Sequence, residues 1–181
     1  VVIIGGSLGF GVFKGILDSA PSIDDIDATP TGYLSVVLDN QGNQTATLVA
    51  SGSNRKNVTI DEIPLNLQHA FVAIEDARFY DHHGIDIQGI ARAAFVGITS
   101  GRFSEGASTL TQQLLKNTVF TEWTSERSPA DKIERKIQEQ YLAIQLEKKV
   151  DKDWIMENYL NAINLGQNTR GVAVASERYF G

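Results

Sequence analysis

The stretch AIEDARFYDHHGID, residues 73–86, gathers acids, aromatic side chains and two adjacent histidines. On a helix, Glu75, Phe79 and His82 would share one face, so an acid–base site, a metal site and a solvated helix end are all open interpretations. Glu75 follows Ile74 at the edge of an apolar stripe, where burial would favour the neutral carboxyl group of a working acid or base. Neighbouring histidines point apart on a helix, which disfavours a metal site. Spacing alone favours the solvated helix end.

A second polar cluster lies in GASTLTQQLLKN, residues 106–117. Hydroxyl groups at a helix N-terminus attract anions, and a lysine further along adds a full positive charge. Phosphate or carbohydrate binding fits this pattern, although the segment taken alone favours a capped surface helix. The polar side chains are Thr109, Gln112, Gln113, Lys116 and Asn117.

The third cluster is KIERKIQEQ, residues 132–140. Ile133 and Ile137 are expected to bury one side of a helix, and the charged residues occupy the others. An exposed pair such as Arg135 and Glu139, four residues apart, contributes only about 0.3–0.5 kcal/mol. A solvated charged face is therefore the default interpretation. Together, the three clusters supply two carboxylates distant in sequence, a cationic group and a polar helix start.

Composition limits the class of protein. A chain of 181 residues with 42% apolar residues can form one domain with a sizeable core. The net charge of −6 argues against a nucleic-acid partner, because no overall positive field attracts phosphate backbones. The absence of cysteine excludes disulfides and thiolate zinc sites.

The N-terminal segment VVIIGGSLGFGVFKGIL, residues 1–17, is apolar and carries no charge before Lys14. It is shorter than the roughly 20 residues that span a bilayer, so we interpret it as the C-terminal end of a truncated transmembrane helix. A buried, glycine-broken segment is the alternative. Residues 18–62 are predicted to be a linker and a β-hairpin, the hairpin covering about residues 33–49 around the turn DNQGN.

Helical periodicity dominates from residue 63 to residue 181. The first predicted helix ends near residue 80, and Ser128 before Pro129 predicts the start of the longest helix, of about 20 residues. The pattern indicates a mainly α domain. The other predicted helices follow Asp86, Ser108 or Thr109, Asp151 and Gly171.

The segment EDARFYDHHGID, residues 75–86, resembles the first motif of the family 51 glycosyltransferases. These peptidoglycan polymerases occur as a domain of class A penicillin-binding proteins and as monofunctional enzymes. Four later segments resemble the remaining motifs in the same order, which makes the resemblance far more specific than any single motif. They are GASTLTQQLLKN at 106–117, RKIQE at 135–139, KDWIMENYLN at 152–161 and GVAVASERYFG at 171–181.

The resemblance implies a mainly α, lysozyme-like fold with a small β-hairpin and a membrane-associated lobe. Residues 63–181 would form the glycosyltransferase domain, truncated at its C-terminal end. Such enzymes polymerise lipid II, a disaccharide-pentapeptide on undecaprenyl diphosphate, into β-1,4 glycan strands. The sugar carbon is inverted and undecaprenyl diphosphate is released, as a step of bacterial cell-wall synthesis.

The resemblance also assigns roles. Glu75 and Glu139 would be the catalytic residues. Glu75 would be the base that accepts the proton of the attacking hydroxyl, and Glu139 would lie near the diphosphate, where it assists departure or holds a metal. The two carboxylates are expected about 6.5–9.5 Å apart, by analogy with inverting glycosidases. A divalent cation such as Mg²⁺ is expected at the diphosphate, with no organic cofactor and no metal site made by the protein. The expected substrate-binding residues are Asp76, Phe79, His82, Ser108, Thr109, Gln112, Gln113, Lys116, Asn117, Arg135 and Lys136.

Partners and location follow from the same resemblance. Lipid II, the growing glycan strand, the membrane and other cell-wall synthesis proteins are the expected partners. The domain would lie on the extracytoplasmic side of the cell membrane, attached by a single span. Two other functions stay open: a lysozyme-like hydrolase or lytic transglycosylase, which needs a carboxylic acid to protonate its leaving group, and a non-catalytic membrane-anchored glycan-binding module.

Overall fold

The structure, a computed structural model, describes residues 11–50, 53–101, 106–121 and 128–181. It is mainly α with one small hairpin, which confirms the expected lysozyme-like fold class. Residues 11–18 are helical. The remaining α-helices are α1 (Leu65–Glu75), α2 (Ile87–Ser100), α3 (Leu110–Thr118), α4 (Pro129–Leu146), α5 (Lys152–Ala162) and α6 (Val172–Phe180).

The predicted hairpin is confirmed. Strand β1 (Ser35–Leu38) pairs antiparallel with β2 (Gln44–Leu48), and both strands are exposed along their length. The carboxylate of Asp39 accepts the backbone N–H groups of Gln41 and Asn43, each at 2.8 Å, and so holds the connecting turn.

Short polar side chains start four of the described helices, α2 to α5, as the sequence predicts. Asp86 accepts the N–H of Gly89 at the start of α2, and Asp151 accepts the N–H of Trp154 at the start of α5. Of the two candidates for α3, Thr109 is the N-cap. Ser128 caps α4 ahead of a proline in the first turn, also as predicted.

The core lies where α3 packs against α4 and α5. Leu114, Leu142 and Tyr159, one from each helix, have no exposed surface. Burying an aliphatic or aromatic side chain contributes about 1.5–3 kcal/mol each, so this contact fixes α3 and α4 relative to each other. The polar residues of both helices are thereby held in place.

One boundary prediction and two burial predictions are wrong. Helix α1 ends at Glu75 rather than near residue 80, because Asp76 leaves the helical region at φ −157° and ψ 71°. Its carboxylate accepts the N–H of Leu110 at 3.0 Å, a partner too distant in sequence for periodicity to reveal. Glu75 is exposed and Ile74 is 81% exposed, so no apolar stripe buries the glutamate.

Helix α4 also differs from expectation. Ile133 is 60% exposed, so it does not bury one side of the helix as predicted. The buried side is instead the one that carries Gln138, Glu139 and Leu142.

None of the helices within the described residues is long and apolar enough to cross a membrane. Residues 1–10 of the proposed transmembrane end lie outside the described residues, so that assignment stays a prediction, as do the domain boundaries.

Candidate active site

Two predicted carboxylates, Glu75 and Glu139, line one cavity of about 570 Å³. It lies between the end of α1, the start of α3 and the first half of α4. Its other lining residues are Ile74, Gly106, Ser108, Gln112, Gln113, Lys116, Asn117, Arg135 and Lys136.

Glu75 is exposed at the last position of α1. One carboxylate oxygen, Oε2, accepts a hydrogen bond of 3.0 Å from the side-chain amide of Gln113 on α3. A carboxylate exposed to the cavity and held by a neutral donor can accept a proton from a bound hydroxyl group.

Glu139 has the opposite environment, being 1% exposed. Arg135 donates to its Oε1, and Lys136 donates to its Oε2 at 3.1 Å. A buried carboxylate needs such partners, because an unpaired charge away from water is costly. The solvated-face interpretation of this segment is therefore wrong for these three residues.

Lys136 connects α4 to the start of α3. Its Nζ donates to Ser108 Oγ at 2.7 Å and to Gln112 Oε1 at 3.0 Å, in addition to Glu139. Three oxygen partners use all three N–H donors of the ammonium group and fix it at the cavity wall, so its contribution there is a positive charge at a fixed position.

Asp76 lies behind the cavity and is 6% exposed. Besides the N–H of Leu110, its carboxylate contacts Nε2 of His82 at 2.9 Å. Asp76 lines a smaller neighbouring cavity of about 180 Å³, which also contains Glu75. It therefore ties the end of α1 to the start of α3.

Phe79 and His82 line neither of the two cavities that contain Glu75. Phe79 has no exposed surface, because it packs into the core, so it has no surface to offer a substrate. Lys152 of α5 lies 4.4 Å from its ring centroid and donates to the carbonyl of His82 at 2.8 Å. Both residues thus hold the segment after α1, and direct substrate contact by His82 stays a prediction.

Thr109 and Gln112 hold the turn at Gly84. The Thr109 hydroxyl donates to the carbonyl of Gly84 at 2.7 Å, and the Gln112 amide donates to the same oxygen at 3.3 Å. Gly84 has φ +90°, and a Cβ there would lie 2.5 Å from the backbone of Ala143. Only glycine allows this turn to approach α4 so closely.

Several residues that were not predicted as site residues support the site. Arg78 pairs with Asp86, and this hydrogen bond holds the pKa of the Asp86 carboxyl below its ordinary value. Glu147 binds Thr111 of α3 and Lys152 of α5. All of these except Glu147 lie within the five motifs, which was the available signal, but spacing does not reveal their partners.

The described residues contain no group of three or more His, Cys, Asp or Glu side chains that could hold a metal ion. Both oxygens of Glu139, the buried carboxylate of the cavity, are already bound by Arg135 and Lys136. These side chains do not fit a metal site made by the protein alone.

A cavity with one exposed carboxylate, one cation-bound carboxylate and a row of amides fits a glycosyl-transferring enzyme. A family model described as Transglycosylase matches residues 41–181. The chain belongs to this family, the family 51 glycosyltransferases, whose members are peptidoglycan glycosyltransferases.

Curated relatives agree with this assignment. The chain is 43% identical to penicillin-binding protein 1A of Clostridium novyi over 94% of its length, covering 20% of that protein. It is 39% identical to penicillin-binding protein 1A/1B of Bacillus subtilis, with 99% of the chain and 18% of that protein covered. It is 38% identical to penicillin-binding protein 1A of Escherichia coli, with 99% of the chain and 20% of that protein covered. The chain thus spans about a fifth of the length of these relatives.

Proposed function

We propose that this domain polymerises lipid II into β-1,4 glycan strands, with inversion at the sugar carbon and release of undecaprenyl diphosphate. The observation that carries the proposal is the pairing within one cavity of exposed Glu75 with the cation-bound Glu139. The first is suited to accept a proton. The second holds positive charge where an anionic leaving group can meet it.

The proposed reaction begins with the 4-hydroxyl group of the acceptor sugar, which attacks the anomeric carbon of the donor on the face opposite its diphosphate. As the new carbon–oxygen bond forms, the hydroxyl proton passes to Glu75. The bond between the anomeric carbon and the diphosphate oxygen breaks, and its electron pair leaves with the diphosphate. The proton ends on Glu75, and the leaving group departs as undecaprenyl diphosphate.

The leaving group is already a stable anion, so it needs positive charge rather than an acid. Lys116, Arg135 and Lys136 line the cavity and supply that charge. Glu139 then acts mainly by holding Arg135 and Lys136 at the wall. A Mg²⁺ ion at the diphosphate, which we also propose, would supply further positive charge to the leaving group.

The surface of α2 supports a substrate that is met at a membrane. Ile87, Phe95 and Ile98 are 70%, 68% and 77% exposed and share one side of the helix. A lipid surface is a suitable environment for such side chains. We therefore propose that this side of α2 contacts the cell membrane. From the family resemblance we also propose attachment by a single span, with the domain on the extracytoplasmic side and with other cell-wall synthesis proteins as partners.

The test is to incubate the purified protein with lipid II and separate the products by size. We expect glycan polymer and free undecaprenyl diphosphate. Cleavage of added glycan strands, without polymer, would instead indicate a hydrolase or lytic transglycosylase. Binding of lipid II with no product would indicate a glycan-binding module, and either result would contradict the proposal.

A further inference from the structure

Tyr159 of α5 lies behind the cavity and has no exposed surface. We propose that Tyr159 is a positioning residue, which acts through the amide of Gln113 to fix the orientation of the Glu75 carboxylate. The proposal rests on the proposed function, because it gives Glu75 the part of the base. Nothing in the family's motif spacing assigns this connection.

Three side chains form the relay. The Tyr159 hydroxyl lies 3.3 Å from Oε1 of Gln113, and Nε2 of Gln113 lies 3.0 Å from Oε2 of Glu75. An ionised carboxylate only accepts hydrogen bonds, so the amide must turn its NH₂ group toward Glu75. Its carbonyl oxygen then faces Tyr159, which must donate.

Tyr159 is suited to remain a donor. Burial, together with the nearby charge of Glu75, raises the pKa of its hydroxyl above the ordinary value. The hydroxyl therefore keeps its proton at neutral pH. As a donor, it holds the Gln113 amide in the orientation that directs the NH₂ group toward Glu75.

The tyrosine ring is itself fixed against the helix that carries the base. It packs edge-on against Phe71 of α1, with centroids 5.9 Å apart and planes at 78°. Phe71 lies one turn before Glu75 on the same helix. Tyr159 therefore contacts α1 through its ring and reaches the carboxylate through its hydroxyl, so loss of the hydroxyl alone leaves the packing in place.

The charged surroundings of Glu75 do not depend on Tyr159. Positive and negative groups face the two cavities from α2, α3, α4 and the segment after α1. Replacing Tyr159 by phenylalanine leaves every one of them unchanged, so a shift in pH dependence reports on the relay. These groups are Asp76, Arg78, Asp86, Arg92, Lys116, Arg135, Lys136 and Glu139.

The first experiment compares Tyr159→Phe with the unchanged protein in lipid II polymerisation over a range of pH. Without its orienting donor, the Gln113 amide can turn its carbonyl toward Glu75, which disfavours the ionised carboxylate. We expect kcat to fall about tenfold, KM to stay within about twofold, and the acidic limb of the pH profile to move to higher pH. An unchanged kcat and profile would overturn the proposal.

A double-mutant cycle separates the relay from general packing. In a Gln113→Leu background, Tyr159→Phe should change kcat by less than about twofold, because the hydroxyl then has no amide to orient. The same tenfold loss in both backgrounds would show that Tyr159 acts independently of Gln113, and would overturn the proposal.

Tyr141→Phe is the matched control, since Tyr141 is 37% exposed on α4 and lines neither cavity. It should leave kcat and the pH profile unchanged. A loss of activity in Tyr159→Phe that comes with a lower Tm and an unmoved acidic limb would indicate a purely structural role and contradict the proposal.

A readout without turnover separates this proposal from the proposed function. The Glu75 carboxyl can be titrated by ¹³C NMR in protein labelled at glutamate, with Glu75→Gln assigning its signal. Its titration midpoint should lie at higher pH in Tyr159→Phe than in the unchanged protein, even if no polymer is made. Equal midpoints would overturn the relay whatever reaction the domain performs.

Discussion

The two carboxylates of the cavity differ in their exposure and in their hydrogen-bond partners. On the α1 wall, Glu75 is exposed and held by one neutral amide. On the α4 wall, Glu139 is buried and bound by Arg135 and Lys136. The difference separates two needs of glycosyl transfer to a hydroxyl group: a base must be free to take a proton, whereas an anionic leaving group needs charges that are already in place.

The largest expected effect on stability tests this contrast directly. Glu139→Ala removes the partner of two cations, so we expect the free energy of unfolding to fall by about 3 kcal/mol. Glu75→Ala should change it by less than about 0.5 kcal/mol, because the side chain is exposed. Denaturant unfolding of both variants measures the difference. Equal losses would mean that the two walls are not distinct.

The close contact between the turn at Gly84 and α4 gives the next largest expected effect on stability. Gly84→Ala places a Cβ against the backbone of α4 at a positive φ, so we expect a loss of at least about 2 kcal/mol in unfolding free energy. Gly101 is the control, since its φ is +67° but nothing lies within 4 Å of a Cβ there. Gly101→Ala should cost about 1 kcal/mol. If Gly84→Ala lowers the unfolding free energy no more than Gly101→Ala does, the close packing of Gly84 on α4 does not contribute to stability.

A smaller effect, on the affinity for lipid II, tests the role of positive charge in the cavity. Lys116→Ala should weaken lipid II binding about tenfold, as expected for the loss of one charge-assisted contact to a diphosphate. Lys132→Ala is the control, because Lys132 is exposed on α4 and does not line the cavity. Binding can be measured by titration at fixed ionic strength. If the Lys116 variant binds as tightly as the control, the diphosphate does not lie beside Lys116.

The smallest effect concerns the segment that follows Glu75. Arg78 keeps the pKa of Asp86 below its ordinary value, so the pair stabilises the fold above about pH 4, and this contribution is lost as the pH falls through the lowered value. Arg78→Gln should lower Tm by less than about 2 °C at pH 7. Thermal melts of both proteins should converge in acid. A difference that persists at low pH would contradict this assignment.

Local signals predicted much of the fold. The hydroxyl and carboxyl caps Thr109, Ser128 and Asp151 act through the adjacent backbone, so the starts of α3, α4 and α5 follow from the sequence. The end of α1 does not follow from the sequence, because the carboxylate of Asp76 accepts the N–H of Leu110, which is distant along the chain.

The candidate site divides in the same way. Residue types and motif order predicted the cavity residues, including Gln113, Lys116 and Glu139. They did not predict that Glu139 is buried or that Tyr159 reaches Gln113, since both depend on how α3 packs against α4 and α5.

The central claim, that Glu75 is the base, is tested most directly by Glu75→Gln with lipid II as substrate. Glutamine keeps the size of the side chain but cannot accept the proton at working pH. We predict that kcat falls about a thousandfold while lipid II affinity stays within about threefold. Near-normal turnover in this variant would contradict the account.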